Sequence, residues 1–266
     1  MKIALVHKRL DLNGGTERDL YQTAEGLRDL GHQVHLFCSE YGVAAPRGTI
    51  GHTIPVIRLG RTWRLWSFAL LAPRIIKNHR CDLVVSFGRL LSQDILRSGG
   101  GTHRGFLLRM EQQRGGWRRL WQRLSFYHQS LLRIEKKQFS DGHFKKVIAV
   151  SDEVKCDIAS NYRVKKDKIA VLYNGVDQQR FHPSRRAQVG DTLRARWKVP
   201  NQAQLVLFVG SGFSRKGLDR LIAIWHRPPL SQAYLMVVGD DGRMGHYQNW
   251  AKSVAGDRIL FVGRQD

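Results

Sequence analysis

Gly210-Ser-Gly-Phe-Ser-Arg-Lys-Gly217 follows the apolar run Leu205–Val209 and precedes apolar residues at helical spacing up to Ile222. This order predicts a buried strand, a glycine-broken turn and a helix start. Such a junction suits an anion, because free backbone N–H groups and the positive end of the helix dipole face the turn. Arg215 and Lys216 add full charges there. The same residues also make an ordinary strand-to-helix turn with two solvated cations, and the pattern alone leaves both readings open. A second glycine turn, Gly14-Gly15, comes after the strand Lys2–His7 and opens into Thr16-Glu-Arg-Asp19. Glycines here permit positive φ or let a substrate approach the backbone; a simple turn is the alternative. The spacing is not Gly-x-Gly-x-x-Gly, so a nicotinamide site is poorly supported. A third run, Asp94-Ile-Leu-Arg-Ser-Gly-Gly-Gly-Thr-His-Arg104, brings three glycines against a histidine. His103 is either a structural ring or a hydrogen-bonding and acid–base group near neutral pH.

The elements that must position these residues follow from the patterning. Met1–Val6, Gln33–Cys38, His52–Leu59 and Asp82–Phe87 read as strands, with helical stretches between them. Leu20, Ala24, Leu27 and Leu30 mark one helix, closed by Gly31. Thr62–His79 marks another, with Trp63, Trp66, Leu70 and Ile75 expected inward. Lys146–Ser151 is a strand with a serine cap for the helix Asp152–Tyr162. Lys168–Tyr173 runs into an Asn-Gly turn, and the polar stretch Ser184–Asp191 reads as a loop. Ala233–Gly239 and Arg258–Val262 are further strands. Alternating strands and helices argue for an α/β fold with parallel sheets covered on both faces. Ligands of such sheets sit beyond the carboxyl ends of the strands. The length, 266 residues, accommodates two domains. They are expected at 1–165 and 166–266, the first with a basic amphipathic insertion at about 104–139.

Charge narrows the partners. Against 22 Asp and Glu there are 44 Lys and Arg, a net charge of +22, so something anionic is attracted. Within Phe106–Phe139, Trp117, Leu120, Trp121, Leu124, Tyr127, Leu131 and Ile134 form a helical stripe. Arg118, Arg119 and Arg123 crowd around it. Tryptophan and arginine together suit an anionic membrane surface, so Trp117, Arg118, Arg119, Trp121 and Arg123 are candidate membrane contacts. A core helix with a solvated basic face is the other reading. No helix-turn-helix, RRM or zinc pattern supports nucleic acid, and none is expected as a partner. The three cysteines, Cys38, Cys81 and Cys156, are far apart and fit reduced thiols in a cytosolic chain. There is no charged-then-apolar leader. No apolar run approaches the ~20 residues needed to cross a bilayer.

The motifs fall in a recognisable order. The chain resembles retaining glycosyltransferases of family 4, which have the two-Rossmann GT-B fold. Gly14-Gly-Thr-Glu-Arg-Asp19, Ala149-Val-Ser151, Tyr173-Asn-Gly-Val-Asp177, Phe181-His-Pro183, Phe208-Val-Gly210, Arg215-Lys-Gly217 and Val238-Gly239 carry the resemblance. Within the family it looks most like enzymes that add the first glucose to the heptose region of the lipopolysaccharide core. The resemblance implies a peripheral enzyme on the inner face of the cytoplasmic membrane. It implies a nucleotide-sugar donor, UDP-glucose by preference, as substrate, with no resident cofactor and no metal. It places Gly14 and Gly15 near the donor phosphates, Arg215 and Lys216 on the diphosphate, and Asp19 and Asp94 on the acceptor side. His103 joins them as a candidate acid–base group. Two departures stand out. Relatives of this type carry an acid in the glycine run, where this chain has Gly100. The family's Glu-x7-Glu signature is not found up to Asp266, so the second domain reads as incomplete. The competing class is a non-catalytic basic protein that docks on anionic membrane or nucleic acid.

Overall fold

The computed structural model describes residues 1–12, 14–113 and 125–265, with backbone alone at 111–113. It forms two compact units, Met1–Gly175 and Val176–Asp266. In the first, strands β1 (Lys2–Val6), β3 (Gln33–Cys38), β5 (Ile50–Thr53), β6 (Leu83–Ser86), β7 (Ile95–Ser98), β8 (Lys146–Ala149) and β9 (Ile169–Val171) make one sheet. Their order is β5-β3-β1-β6-β7-β8-β9, and every pairing is parallel. Two short strands, β2 (Arg9–Leu10) and β4 (Glu40–Tyr41), pair beside it. Because β9 joins β8, the first unit extends past the boundary expected at 165.

The unbroken apolar sequence of β1 is explained by what covers it. Ile3 and Leu5 pack on one face with Leu20 and Ala24 of α1 (Gly15–Asp29). Ala4 and Val6 pack on the other with Phe68, Ala72 and Ile76 of α2 (Arg61–Asn78). A strand buried on both sides needs apolar residues at both parities. In α2 the inward face differs in part from the expected one: Ile75 packs against this core, but Trp63 is 58% exposed and Leu70 42% exposed. Phe68, Ala72 and Ile76, four residues apart, form the buried stripe instead. The large aromatic residues invited the wrong face, whereas the close sheet needed the alanines.

The stripe expected along 106–139 is divided. The described parts are α3 (His103–Gln113) and α4 (Phe126–Gln138). Ser125 starts α4 afresh, its Oγ accepting the His128 N–H at 3.5 Å. Leu131 and Ile134 are buried as their spacing requires. Trp117, Arg118, Arg119, Trp121 and Arg123 lie outside the described residues. Helix α5 (Asp152–Tyr162) closes the unit and is capped by the Ser151 hydroxyl.

The second unit holds a three-stranded parallel sheet in the order β10 (Leu205–Val209), β11 (Tyr234–Val238), β12 (Ile259–Gly263). Phe213, Leu218, Ile222 and Trp225 pack with Leu235, Val237, Tyr247 and Ala251 to form its core. The stretch expected as a loop from Ser184 is a helix, α6 (Ser184–Arg196), with no buried residue. Without an apolar stripe it carries no periodic signal, although alanine, leucine, glutamine and arginine favour helix.

Candidate active site

A cavity of about 610 Å³ opens at the carboxyl ends of β1, β3, β6 and β7, wholly within the first unit. Parallel strands bring their chain-reversing turns to this edge, which is why its walls are His7, Ser39, Gly88 and the run Ser98–Thr102. The starts of α1 and α2 contribute Thr16, Arg61 and Arg64, and α4 contributes Tyr127, Leu131 and Glu135. Lys8, Arg9, Arg61, Arg64, Arg89 and Arg97 line it against only Glu40 and Glu135. Some of that charge is met internally. Arg64 pairs with Glu40 at 3.1 Å and Arg9 with Asp11 at 2.7 Å, while Arg61 stacks 4.3 Å from the Tyr127 ring centre. The remaining excess favours an anionic or polyhydroxylated ligand.

The wall below the glycine run is built on two carboxylates, one fully buried and one partly so. Glu135, fully buried, accepts hydrogen bonds from the backbone N–H groups of His103 (2.8 Å) and Arg104 (3.1 Å). It also accepts from the Tyr162 hydroxyl at 2.6 Å and pairs with Arg89. Asp157 accepts from the Thr102 N–H at 2.5 Å. The start of α3 is therefore satisfied by the protein's own anions. At α1 the cap residue Gly14 makes no side-chain bond, and the Glu17 carboxylate stands there instead, accepting from its own N–H, with Oε2 2.1 Å from where a Cβ on Gly14 would sit. Gly15 is exposed, and a Cβ there would meet nothing within 4 Å.

Asp19 lies beside this opening and accepts from Arg97 Nε at 2.9 Å. Arg97 is 7% exposed and also donates to Asn174 Oδ1 (2.5 Å) and the Leu172 carbonyl (3.1 Å). Asp19 thus fixes a cavity-wall arginine. Asp94 is not brought to the cavity. It precedes β7, at the amino end of the sheet, and its carboxylate accepts from the Val84 N–H at 2.8 Å and pairs with Lys145 at 2.8 Å. Its sequence neighbourhood reaches the cavity from two residues later, at Leu96 and Arg97, as the strand crosses the sheet. His103 stands behind the wall, with Nε2 3.0 Å from His128 Nδ1. Burial first, then the Arg89 charge, lowers it to about 4, so it is a neutral ring at neutral pH.

Sequence reasoning missed His7 and Glu17. His7 ends β1, is 5% exposed, and meets Glu17 Oε1 through Nε2 at 3.4 Å. This contact holds the Glu17 carboxyl below its usual range. His7 Nδ1 has no hydrogen-bond partner, and Gly88 passes so close that a Cβ there would stand 3.1 Å from it. The only available signal was a polar residue closing a buried apolar strand.

In the second unit the glycine-rich junction is closed at its helix start. The stretch folds as two short helices, α7 (Phe213–Lys216) and α8 (Leu218–Ile224), separated by Gly217 at φ 85°. The Phe213 N–H is taken by Asp241 Oδ2 at 2.8 Å and the Arg243 N–H by Asp241 Oδ1 at 2.9 Å. Those two bonds, Arg243's first, hold the Asp241 carboxyl below its usual range. Arg215 and Lys216 are exposed at the end of α7, not at the head of a long helix. The Lys216 stem runs along Gly210: a Cβ on that glycine would lie 3.5 Å from Lys216 Cγ.

A parallel sheet with a cationic, glycine-edged cavity over its carboxyl ends, followed by a second parallel sheet, has the fold of GT-B glycosyltransferases. The chain belongs to Glycosyltransferase Family 4, whose profile matches residues 13–180. It is 24% identical over 231 residues to the lipopolysaccharide glucosyltransferase WaaG of Escherichia coli K12, an alignment covering 86% of this chain and 60% of WaaG. To a probable transglycosylase of Burkholderia thailandensis it is 29% identical over 196 residues, 69% of this chain and 47% of that protein. The chain thus spans 60% or less of the curated relatives it matches. The crystal structure of WaaG, a glycosyltransferase involved in lipopolysaccharide biosynthesis, superposes with a TM-score of 0.82 at 21% identity, covering 99% of this chain and 70% of that one. The Anabaena protein HepE in complex with UDP-glucose gives 0.69 at 18% identity, covering all of this chain and 70% of that one.

Proposed function

We propose that this chain works in the transfer of a hexose, glucose from UDP-glucose, with retention of configuration, onto the heptose region of a lipopolysaccharide inner core. The observation that carries this reading is the cationic cavity of about 610 Å³ at the strand ends of the first unit, with Thr16 of α1 at its edge. Its arginines and hydroxyls suit an acceptor rich in hydroxyl and phosphate groups, and Arg97, fixed by Asp19, is a rigid donor among them. Lys216 and Arg215, exposed on α7, meet the charge that gathers on the nucleoside diphosphate as the glycosidic bond breaks. No resident cofactor is invoked. His103, a neutral ring facing His128 behind the wall, is given no proton-transfer role. The family membership and the likeness to WaaG support the acceptor class, and the HepE complex supports the donor class.

The proposed location is the inner face of the cytoplasmic membrane. The support is compositional: the net charge of +22 and the tryptophan–arginine run at 117–123.

The test combines calorimetric titration with UDP-glucose and mass spectrometry of a heptose-terminated core acceptor. The expected outcome is a gain of one hexose on the acceptor, reduced in Lys216→Ala by about a hundredfold or more. Arg64→Ala is expected to weaken the acceptor and spare the donor. If Lys216→Ala leaves donor affinity and hexose transfer unchanged, the reading is wrong.

A further inference from the structure

Three histidines from three separate elements meet at one place. His35 and Phe37 of β3 point to the same face of the sheet, and the pairing of Phe37 with His52 of β5 puts His52 on that face too. This is the face covered by Phe68, Ala72 and Ile76 of α2. His79, three residues beyond Ile76, closes that helix on the same side. The rings of His35 and His52 stack at 5.0 Å between centroids, and those of His52 and His79 lie 4.2 Å apart. One nitrogen from each ring lies within 4.8 Å of the other two.

We propose that His35, His52 and His79 form a binding site for a borderline divalent metal ion, zinc being the type, that ties the edge strand β5 and the end of α2 to β3. Three neutral nitrogen donors without a carboxylate select zinc, copper or nickel over magnesium or calcium. A tetrahedral zinc with bonds of 2.0–2.1 Å sets its nitrogens about 3.3 Å apart. His35 Nδ1 and His52 Nε2, now 2.8 Å apart, open by about half an ångström to reach that spacing.

His35 is 4% exposed, so its ring is held by its surroundings. The His52 backbone is fixed as well, its carbonyl accepting from the Tyr41 hydroxyl at 3.0 Å. The charge of Lys2 acts on both rings and opposes any cation there.

This site is separate from the cavity. Arg64 lines the cavity near the start of α2, and His79 lies fifteen residues further along, about 22 Å at helical rise. The inference therefore stands apart from the transferase reading, and its test does not use activity. The chain is purified without a polyhistidine tag, stripped with chelator and titrated with Zn²⁺ by calorimetry and with Co²⁺ by visible absorption. One equivalent of either ion is expected, with the d–d bands of tetrahedral cobalt and a rise in Tm. His79→Gln and His52→Gln are each expected to weaken binding at least tenfold, and Lys2→Gln to strengthen it several-fold. No uptake of either ion, or uptake unchanged in both histidine variants, would overturn the proposal. Should a histidine variant fail to fold, the Lys2→Gln titration decides: affinity that does not rise counts against the site.

Discussion

Glycines close the strand ends of both units, but they answer opposite needs. In the second unit Gly239 ends β11 with φ 134°, and a Cβ on it would stand 2.1 Å from the Gly210 carbonyl oxygen and 2.7 Å from its carbon. Two backbones touch there, and Asp241 fills the helix start beside them. In the first unit the strand ends border a cavity: a Cβ on Gly15 or Gly100 would meet nothing within 4 Å, and those on Gly14, Gly88, Gly99 and Gly101 would meet side chains, not backbone. The same residue type marks packing in one place and access in the other. A strand–glycine–helix pattern is therefore not in itself an anion site; what already occupies the turn decides.

The largest effect expected from this difference is on stability. Gly239→Ala places a side chain against backbone at a positive φ, and such strain costs about 1–3 kcal/mol before the collision is counted. Peptides from Phe208–Val238 are expected to lose hydrogen-exchange protection, and the urea midpoint of the second unit to fall. Gly15→Ala is expected to shift stability by no more than ~0.5 kcal/mol. Equal losses for the two alanines would break the comparison.

Acid separates the units more gently. His103 ionises at about 4 in the folded chain against 6.5 for the free ring. The unfolded state then binds the proton first, so its contribution to stability is whole above pH 6.5 and falls away as pH drops toward about 4. In the second unit Asp241 has its carboxyl held below the ordinary 3.8, so its contribution is present above that pH and lost only as pH falls below it. Exchange protection, corrected for the intrinsic rate, is expected to weaken in the first unit between pH 6.5 and 5 while the second holds. His103→Gln is expected to remove part of that loss. Simultaneous weakening of both units, unaltered in the variant, would count against this account.

Much of the fold was legible because buried parallel strands write themselves as apolar runs. β1, β3, β6, β8, β10 and β11 fall where the runs fall. What the sequence hid was local or tertiary. The exposed helix α6 has no apolar stripe to announce it. The α2 face was set by alanines that a close sheet demands, not by its tryptophans. Asp19 and the glycine run Gly99–Gly101 fold at the cavity edge, whereas Asp94 lies a whole strand away from it. His7, Glu17, Glu135 and Asp241 depend on contacts between residues 10 to 46 positions apart, which no local pattern encodes.

Gly100 offers the smallest and most discriminating test. It lines the cavity, carries no positive φ, and accepts from the Ser98 hydroxyl through its carbonyl alone. An aspartate there keeps that bond and projects into open space, so Gly100→Asp is expected to leave Tm nearly unchanged, within ~0.5 kcal/mol of stability. Its charge enters a wall of arginines, however, and partly cancels their field. Calorimetry with a phosphorylated heptose oligosaccharide is expected to show several-fold weaker binding, and with the unphosphorylated sugar little change. Adding salt is expected to shrink the gap between the two sugars, because screening acts on the charged one alone. A Tm loss approaching that of Gly239→Ala would mean that the glycine run, like the second unit's, is there for packing, and the contrast between the two units would fail at its open end.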